Sequence, residues 1–482
     1  MITKFSFLIL AVAFFISCDD NTFDEIIPAQ HIHAVTNLAH EFTFYADHRF
    51  HIQYLPGHKG VTNWCNLYNF DFSNANLLIL LGCDDRIEYV EKDLAVINNF
   101  LYAGGGVVVF GRENTKSQNA LLNKFGAEFT APATEPLTPS KRLTQEFVEG
   151  SPGSSLTFDR PKEWDVLIYD GNQTAVLARK KVGNGTLLVS SRTLAGSNPN
   201  ASDSINKLMW RTLLPEIAAG KEVNPHRIFN GAGIDRLEYN DDHNTFMLSY
   251  NDYLKPYAGA MADIYQKSLP HIESRMGVPL SEGMGSQITL LATGGGGFSS
   301  GAVIGLGVWW GGFPEREDSM IELLTHEAVH SWVLPFPEVW NEPIATYVGN
   351  LVMIDMGHEE EAKRRIENTI ERASKLDPDM NNYDINGNLT GTGRELNNHE
   401  KNEMHWGKTY WIFEELRKEN TEFLADYFKL KRQYATPEAI TQYDMNNTVA
   451  LLSMAMGRDL FDWFNKYGMP VDSSKAEIEV AL

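Results

Sequence analysis

Cysteine is scarce in this chain of 482 residues: there are three, Cys18, Cys65 and Cys83. No two have the CxxC spacing of a thiolate zinc site or a redox pair. Cys65 and Cys83 are left two options, one disulfide in an oxidising compartment or two buried thiols. Positive charge is also short, with 41 Lys and Arg against 63 Asp and Glu and a formal net charge of -22. A protein that tracks phosphates needs a basic face, so no nucleic-acid partner is expected. The acidity reads as solubility. After residue 17 no stretch reaches the 18 or so uninterrupted apolar residues of a membrane helix. There is no internal repeat and no low-complexity tract. The glycine run Gly294–Gly297 lacks the following Gly-Lys-Ser/Thr of a phosphate loop.

What is present begins with the N-terminus, MITKFSFLILAVAFFISC. Lys4 precedes an apolar run from Phe5 to Ile16, too short to span a bilayer and suited to a signal-peptide core. Small Ser17 then precedes Cys18, and Asp19-Asp20 follow. The arrangement resembles a bacterial lipoprotein signal, with Phe15 where leucine is usual. The resemblance implies cleavage of residues 1–17, lipidation of Cys18, and an exported protein held on a bacterial membrane, periplasmic or at the cell surface. Residues 18–30 read as a tether.

A hydrophobic fraction of 43% supports a large buried core, and the length suggests two or three domains at about 100–200 residues each. Residues 31–222 read as alternating strands and helices. Leu77–Leu81 and Val107–Phe110 are apolar runs fit for buried parallel strands. Glu91–Tyr102 places Leu94, Ile97, Phe100 and Leu101 on one helical face. Gly183-Asn184-Gly185 marks a hairpin between 174–179 and 186–190, and Asn206–Ala219 reads as a closing helix. This pattern resembles the class I glutamine-amidotransferase-like, flavodoxin-like domain. That family's catalytic cysteine sits on a tight strand-to-helix turn. Here Gly111-Arg112-Glu113 follows the strand instead, and Cys83 lacks a Gly-x-Cys-x-Gly elbow. The domain is therefore expected to be a non-catalytic scaffold or binding module.

Residues 223–482 form the second expected domain, mixed to about residue 300 and mainly helical from 318. Strands are expected at Phe246–Leu248 and Ile288–Ala292, and a helix at Ala258–Met276. Asp318 is positioned to cap a helix from Ser319 to about Val333, with Pro335 and Pro337 ending it. On that helix His326 and His330 are four apart, so both imidazoles share one face and can grip one Zn2+. Glu327 between them is placed to act as general base on a zinc-activated water and to return the proton to the leaving amine. A catalytic zinc needs three protein ligands. Glu342, twelve residues beyond His330, is the candidate third, at the entrance of a helix starting near Pro343. Glu338 is its rival.

His326-Glu327-Ala328-Val329-His330 followed by Asn341-Glu342-Pro343-Ile344-Ala345-Thr346-Tyr347 resembles the gluzincin metallopeptidases. WNEPIATYV is similar to the third-ligand block of aminopeptidase N relatives. The short gap to Glu342 fits the enhancin-like, mucin-degrading branch, in which an amidotransferase-like N-terminal domain accompanies the peptidase. The C-terminal Gly457–Phe464 and Tyr467–Pro470 resemble the closing helix of both groups. The resemblance implies a zinc endopeptidase acting on extracellular proteins or glycoproteins. An aminopeptidase, or a surface binding protein without catalysis, are the alternatives. It also implies an oxyanion donor near Met404–Trp411. Trp406 stands where tyrosine is usual, which leaves His405 and Tyr410 as neighbouring candidates, and His405 is taken as the catalytic residue. Gly305–Trp310 is expected to form the strand edging the cleft. Asp377, Asp379, Asn381, Asp384, Asn386 and Asn388 lack the terminal glutamate of a calcium hand and read as a solvated polar loop.

Overall fold

The computed structural model describes residues 26–42, 52–111, 116–143, 153–191, 205–227, 229, 237–240, 245–279, 285–301, 303–331 and 336–480. The signal segment, Cys18 and most of the tether lie outside them. The chain divides into two compact units, Met1–Asp235 and Arg236–Leu482. Among the described residues no helix is long and apolar enough to cross a membrane.

The first unit is built on one mixed sheet. Strands β1 (His33–Asn37), β2 (Lys59–Asn63), β3 (Leu77–Leu80), β4 (Gly106–Gly111) and β10 (Gly185–Ser191) run parallel in the order β2-β1-β3-β4-β10. Leu77–Leu80 and Val107–Phe110 are wholly buried, as expected of parallel strands covered on both faces. Helix α1 (Glu91–Tyr102) buries the four residues expected, and Asp93 with them. The alternation of strands and helices stops after α2 (Lys116–Asn123). Strands β5 (Ala127–Pro132), β6 (Thr138–Pro139), β7 (Ser154–Phe158), β8 (Asp165–Tyr169) and β9 (Ala175–Val182) follow, and the sheet continues past β10 with antiparallel β9, β7 and β5. The 183–185 turn joins β9 to β10, with Gly183 at φ +60°. The closing helix is broken: Ile205–Leu208 and Leu214–Ala218 flank a π-helical turn at Met209–Leu213. Cys65 and Cys83 are both buried, and neither is in a disulfide.

The second unit pairs a five-stranded sheet with helices. Its strands are β11 (Leu237–Asn240), β12 (Met247–Tyr250), β13 (Gln287–Leu291), β14 (Gly297–Ser300) and β15 (Val303–Gly307), in the order β11-β12-β13-β15-β14. Helix α3 (Lys255–Met276) lies between β12 and β13 in sequence. Then come α4 (Glu317–Val329), α5 (Asn341–Asp355), α6 (Glu359–Leu376), α7 (Asn398–Glu419), α8 (Phe423–Tyr434), α9 (Met445–Met456) and α10 (Phe461–Lys466). Helices α4 and α5 are apolar on most sides, burying Met320, Ile321 and Leu324 on one and Ile344, Val348 and Val352 on the other. They are core helices rather than amphipathic surface ones.

Three local expectations are corrected. The first helix begins at Glu317, with Arg316 in the capping position. The carboxylate of Asp318 is instead drawn to the guanidinium groups of Arg316 and Arg365, at 2.7 and 2.8 Å. The strand over residues 303–307 does not edge the sheet, because β14, part of the glycine-rich stretch, pairs along its outer side. The 377–388 loop is not merely solvated. It is folded round the ammonium of Lys408, which is fully buried and donates to the carbonyls of Tyr383 and Tyr467. Asp377, also fully buried, caps Asn382.

Candidate metal centre

Helix α4 carries His326 and Glu327, and His330 terminates it. Helix α5 follows, and its first turn holds Glu342. Pro343 is the third residue of α5, where a missing N–H leaves no intrahelical bond unmade. The geometry brings the separate pieces together. His326 Nε2 lies 3.2 Å from His330 Nε2, Glu342 Oε2 lies 3.1 Å from His326 Nε2, and Glu342 Oε1 lies 3.7 Å from His330 Nε2. Tetrahedral zinc with bonds of about 2.0–2.2 Å separates its ligand atoms by about 3.3–3.6 Å. The three side chains therefore fit one ion with little movement.

Glu327 also brings a carboxylate oxygen within 4.8 Å of both imidazoles. Glu342 is nearer and half exposed, whereas Glu327 is buried. The two carboxylates differ accordingly. Burial pushes Glu327 up to about 7, against the opposing pull of His326 and with the help of Glu342 and Glu322. The hydrogen bond to His326 holds Glu342 below the usual carboxylate range. Burial alone lowers His326, but its bond to Glu342 and the surrounding carboxylates outweigh it and raise the group. Burial and the neighbouring His326 lower His330. Two imidazoles ringed by carboxylates form a pocket that stabilises added positive charge.

His326 is fixed from behind. Its Nδ1 lies 2.8 Å from the hydroxyl of Thr346, one turn along α5 from Glu342, which leaves Nε2 facing the other ligands. A metal-ligating histidine needs such a partner to set its tautomer and ring plane. Glu338, the rival ligand, is committed elsewhere. Its side chain is fully buried, ion-paired with Lys431, and accepts from Tyr427 Oη at 2.7 Å.

Gly297 explains how β14 reaches the site. A Cβ at this position would stand 2.8 Å from Cγ and Oε1 of Glu327, so only glycine lets the strand lie against the carboxylate. Trp309 is buried in the core beside Tyr257, and Trp310 begins a 3-10 turn.

On α7, His405 Nδ1 donates to the carbonyl of Ile385 at 2.8 Å, and its charge contributes to lowering Glu342. Nε2 then donates a hydrogen bond only when the ring is an imidazolium. Tyr410 is 2 % exposed and packs edge-on against Tyr347 at 5.2 Å, within the helical core. Tyr383 spends its hydroxyl on the carbonyl of Arg394 at 2.8 Å. In the first unit, Cys83 donates from Sγ to the carbonyl of Ile87 at 3.0 Å, and burial drives its thiol far above its ordinary range.

No family model matches this chain, and no curated protein matches it. Likenesses to solved structures are slight. The mmIFT52 N-terminal domain is 14% identical with a TM-score of 0.28, over 37% of this chain and 93% of that one. The ZmpB metallopeptidase from Clostridium perfringens is 14% identical with a TM-score of 0.33, over 48% of this chain and 47% of that one. A functionally unknown conserved protein from Bacillus anthracis is 12% identical with a TM-score of 0.31, over 50% of each chain. The chain thus spans about half the length of the last two. Likenesses of this size define neither family nor activity.

Proposed function

We propose that this protein is a zinc-dependent endopeptidase of gluzincin type, exported, anchored through a lipid on Cys18, and acting on extracellular proteins or glycoproteins. The observation that carries the reading is the convergence of His326, His330 and Glu342 within 3.1–3.7 Å, with buried Glu327 alongside. Those three residues would hold the ion. When bound, zinc supplies a Lewis acid for the scissile carbonyl and for a water molecule. Glu327 takes the proton of the attacking water at its carboxylate and returns it to the leaving nitrogen, a task suited to an acid that titrates near neutrality. His405 is the donor to the developing oxyanion in this reading. Among the described strands β14 pairs only with β15, and its outer edge beside Glu327 suits an extended peptide added as a further strand.

In the first unit the parallel order β2-β1-β3-β4-β10 supports the flavodoxin-like, amidotransferase-like assignment. A buried thiol with a raised pKa supports a non-catalytic role there, since the thiolate is the nucleophile.

The test is metal stoichiometry after dialysis. Glu342→Ala should lose bound zinc and hydrolysis while remaining folded by circular dichroism. Folded Glu342→Ala holding one zinc per chain would remove Glu342 from the ligand set.

A further inference from the structure

Behind His326 lies a second group of side chains that the hydrolytic reading leaves unused. A cavity of about 350 Å³ is lined by Thr346, Arg364, Arg365, Asn368, Arg372 and Trp406, among others. Thr346 belongs to both places, since it lines this cavity and its hydroxyl holds His326 Nδ1. Glu322, which also lines the cavity, sits one helical turn before His326.

Three guanidinium groups in one small cavity stand out in a chain of net charge -22. Each is held by a carboxylate through its Nε side. Arg364 grips Glu361 with Nε and Nη2 at 2.8 and 2.7 Å. Arg365 uses Nε on Glu361 at 2.9 Å and Nη2 on Asp318 at 2.8 Å. Arg372 pairs through Nε with Glu403 and reaches Thr369 through Nη2 at 3.4 Å. Among the described residues none of the three Nη1 atoms donates a hydrogen bond. The carboxylate of Glu322 is 3.7 Å from Arg365 Nη1. The side-chain amide of Asn368 makes no hydrogen bond to the described residues either. A network whose sole task was to fasten α6 to α4 would account for Arg365. It leaves Asn368 and the outer edges of Arg364 and Arg372, both more than half exposed, without a purpose.

Guanidinium donors pinned on one side and open on the other are preorganised for a planar or tetrahedral oxyanion. We propose that this cavity is a subsite for an anionic group, a carboxylate, sulfate or phosphate ester, carried by the substrate close to the bond that is cut, with Trp406 as its apolar wall. The proposal rests on the metallopeptidase reading and narrows its substrate class to acidic or acid-modified chains.

The experiment compares kcat/KM on one peptide framework in which each position near the cleavage site carries glutamate, phosphoserine or sulfotyrosine, or the neutral glutamine, serine or tyrosine. At one position the acidic member should be favoured by about tenfold or more, equivalent to one charge-assisted contact. Which acid is favoured most identifies the source. The preference should fall toward parity in Asn368→Leu/Arg372→Gln and persist in Lys375→Gln, a lysine one turn further along α6 that is absent from the cavity. Parity in the wild type, with cleavage intact, overturns the subsite and leaves the peptidase reading standing. Should no peptide be cleaved, that reading falls and binding decides the subsite. Sodium sulfate titrated at constant ionic strength should then give a saturable fluorescence change that vanishes in Trp406→Phe and in Arg372→Gln. Absence of a saturable change overturns the proposal.

Discussion

Removing the buried ammonium group of Lys431 should loosen the entrance of α5, which carries Glu342. Glu338 lies three residues before α5, and its side chain is 0% exposed. One carboxylate oxygen faces Lys431 Nζ and the other accepts from Tyr427 Oη at 2.7 Å, which itself bonds Tyr443 Oη at 2.5 Å. Lys431 Nζ also donates to the carbonyl of Phe336 at 2.7 Å and stands 4.5 Å from the centre of the Tyr443 ring. Lys431→Met keeps the volume but leaves a buried carboxylate with a single donor and strips the Phe336 carbonyl of its partner. Breaking a buried pair on one side costs about 3–5 kcal/mol, about a fifth or more of the roughly 5–15 kcal/mol that stabilises a typical domain. The double variant Glu338→Gln/Lys431→Met removes the orphaned charge and lets the amide oxygen keep the Tyr427 bond, so it should recover about half of the loss or more. Two units make global unfolding a poor measure. Native-state hydrogen exchange read on peptides covering α5 and α8 reports the local change directly. A loss below about 1 kcal/mol for Lys431→Met, or a double variant no more stable than the single, would refute the reasoning.

Thr346→Val should weaken zinc binding by about 10–100-fold in a competition with a chromogenic chelator, while Thr346→Ser restores most of it, because the hydroxyl and not the methyl orients His326. Equal affinities for valine and serine would make Thr346 a packing residue. His405→Ala should keep its zinc and lose on the order of a hundredfold in kcat. An unchanged kcat would place the oxyanion donor elsewhere.

Much of the site was legible because helical geometry is local. Four residues make slightly more than one turn, so His326, Glu327 and His330 declare their arrangement without reference to the rest of the fold. Glu342 needed only the end of the first helix, which Pro335 and Pro337 require in the sequence. What stayed hidden depends on packing between distant segments. Glu338 stands as a rival to the favoured Glu342 along the chain. Lys431, 93 residues away, is what occupies the first. The edge strand β14 escaped notice because Phe298 is its one large apolar residue and glycine has no strand preference, so the stretch looks like a linker. Asp318 has the right type and place for a cap, yet two arginines compete for it, one of them on α6. Lys408 looks like an ordinary surface lysine until the 377–388 loop closes over it. In the first unit the parallel core was readable from its apolar runs. The antiparallel extension was not, because β5 to β8 are short and partly exposed.

The central claim is hydrolysis at the HExxH centre with Glu327 as base, and one comparison tests it most directly. Wild-type protein and Glu327→Gln, each carrying one zinc per chain by elemental analysis, are incubated with a peptide library and the products are read by mass spectrometry. The account predicts internal cleavage by the wild type, abolished by a chelator and restored by zinc, and a loss of nearly all cleavage in Glu327→Gln. Cleavage by Glu327→Gln at the wild-type rate, or wild-type cleavage that survives removal of the metal, would contradict it.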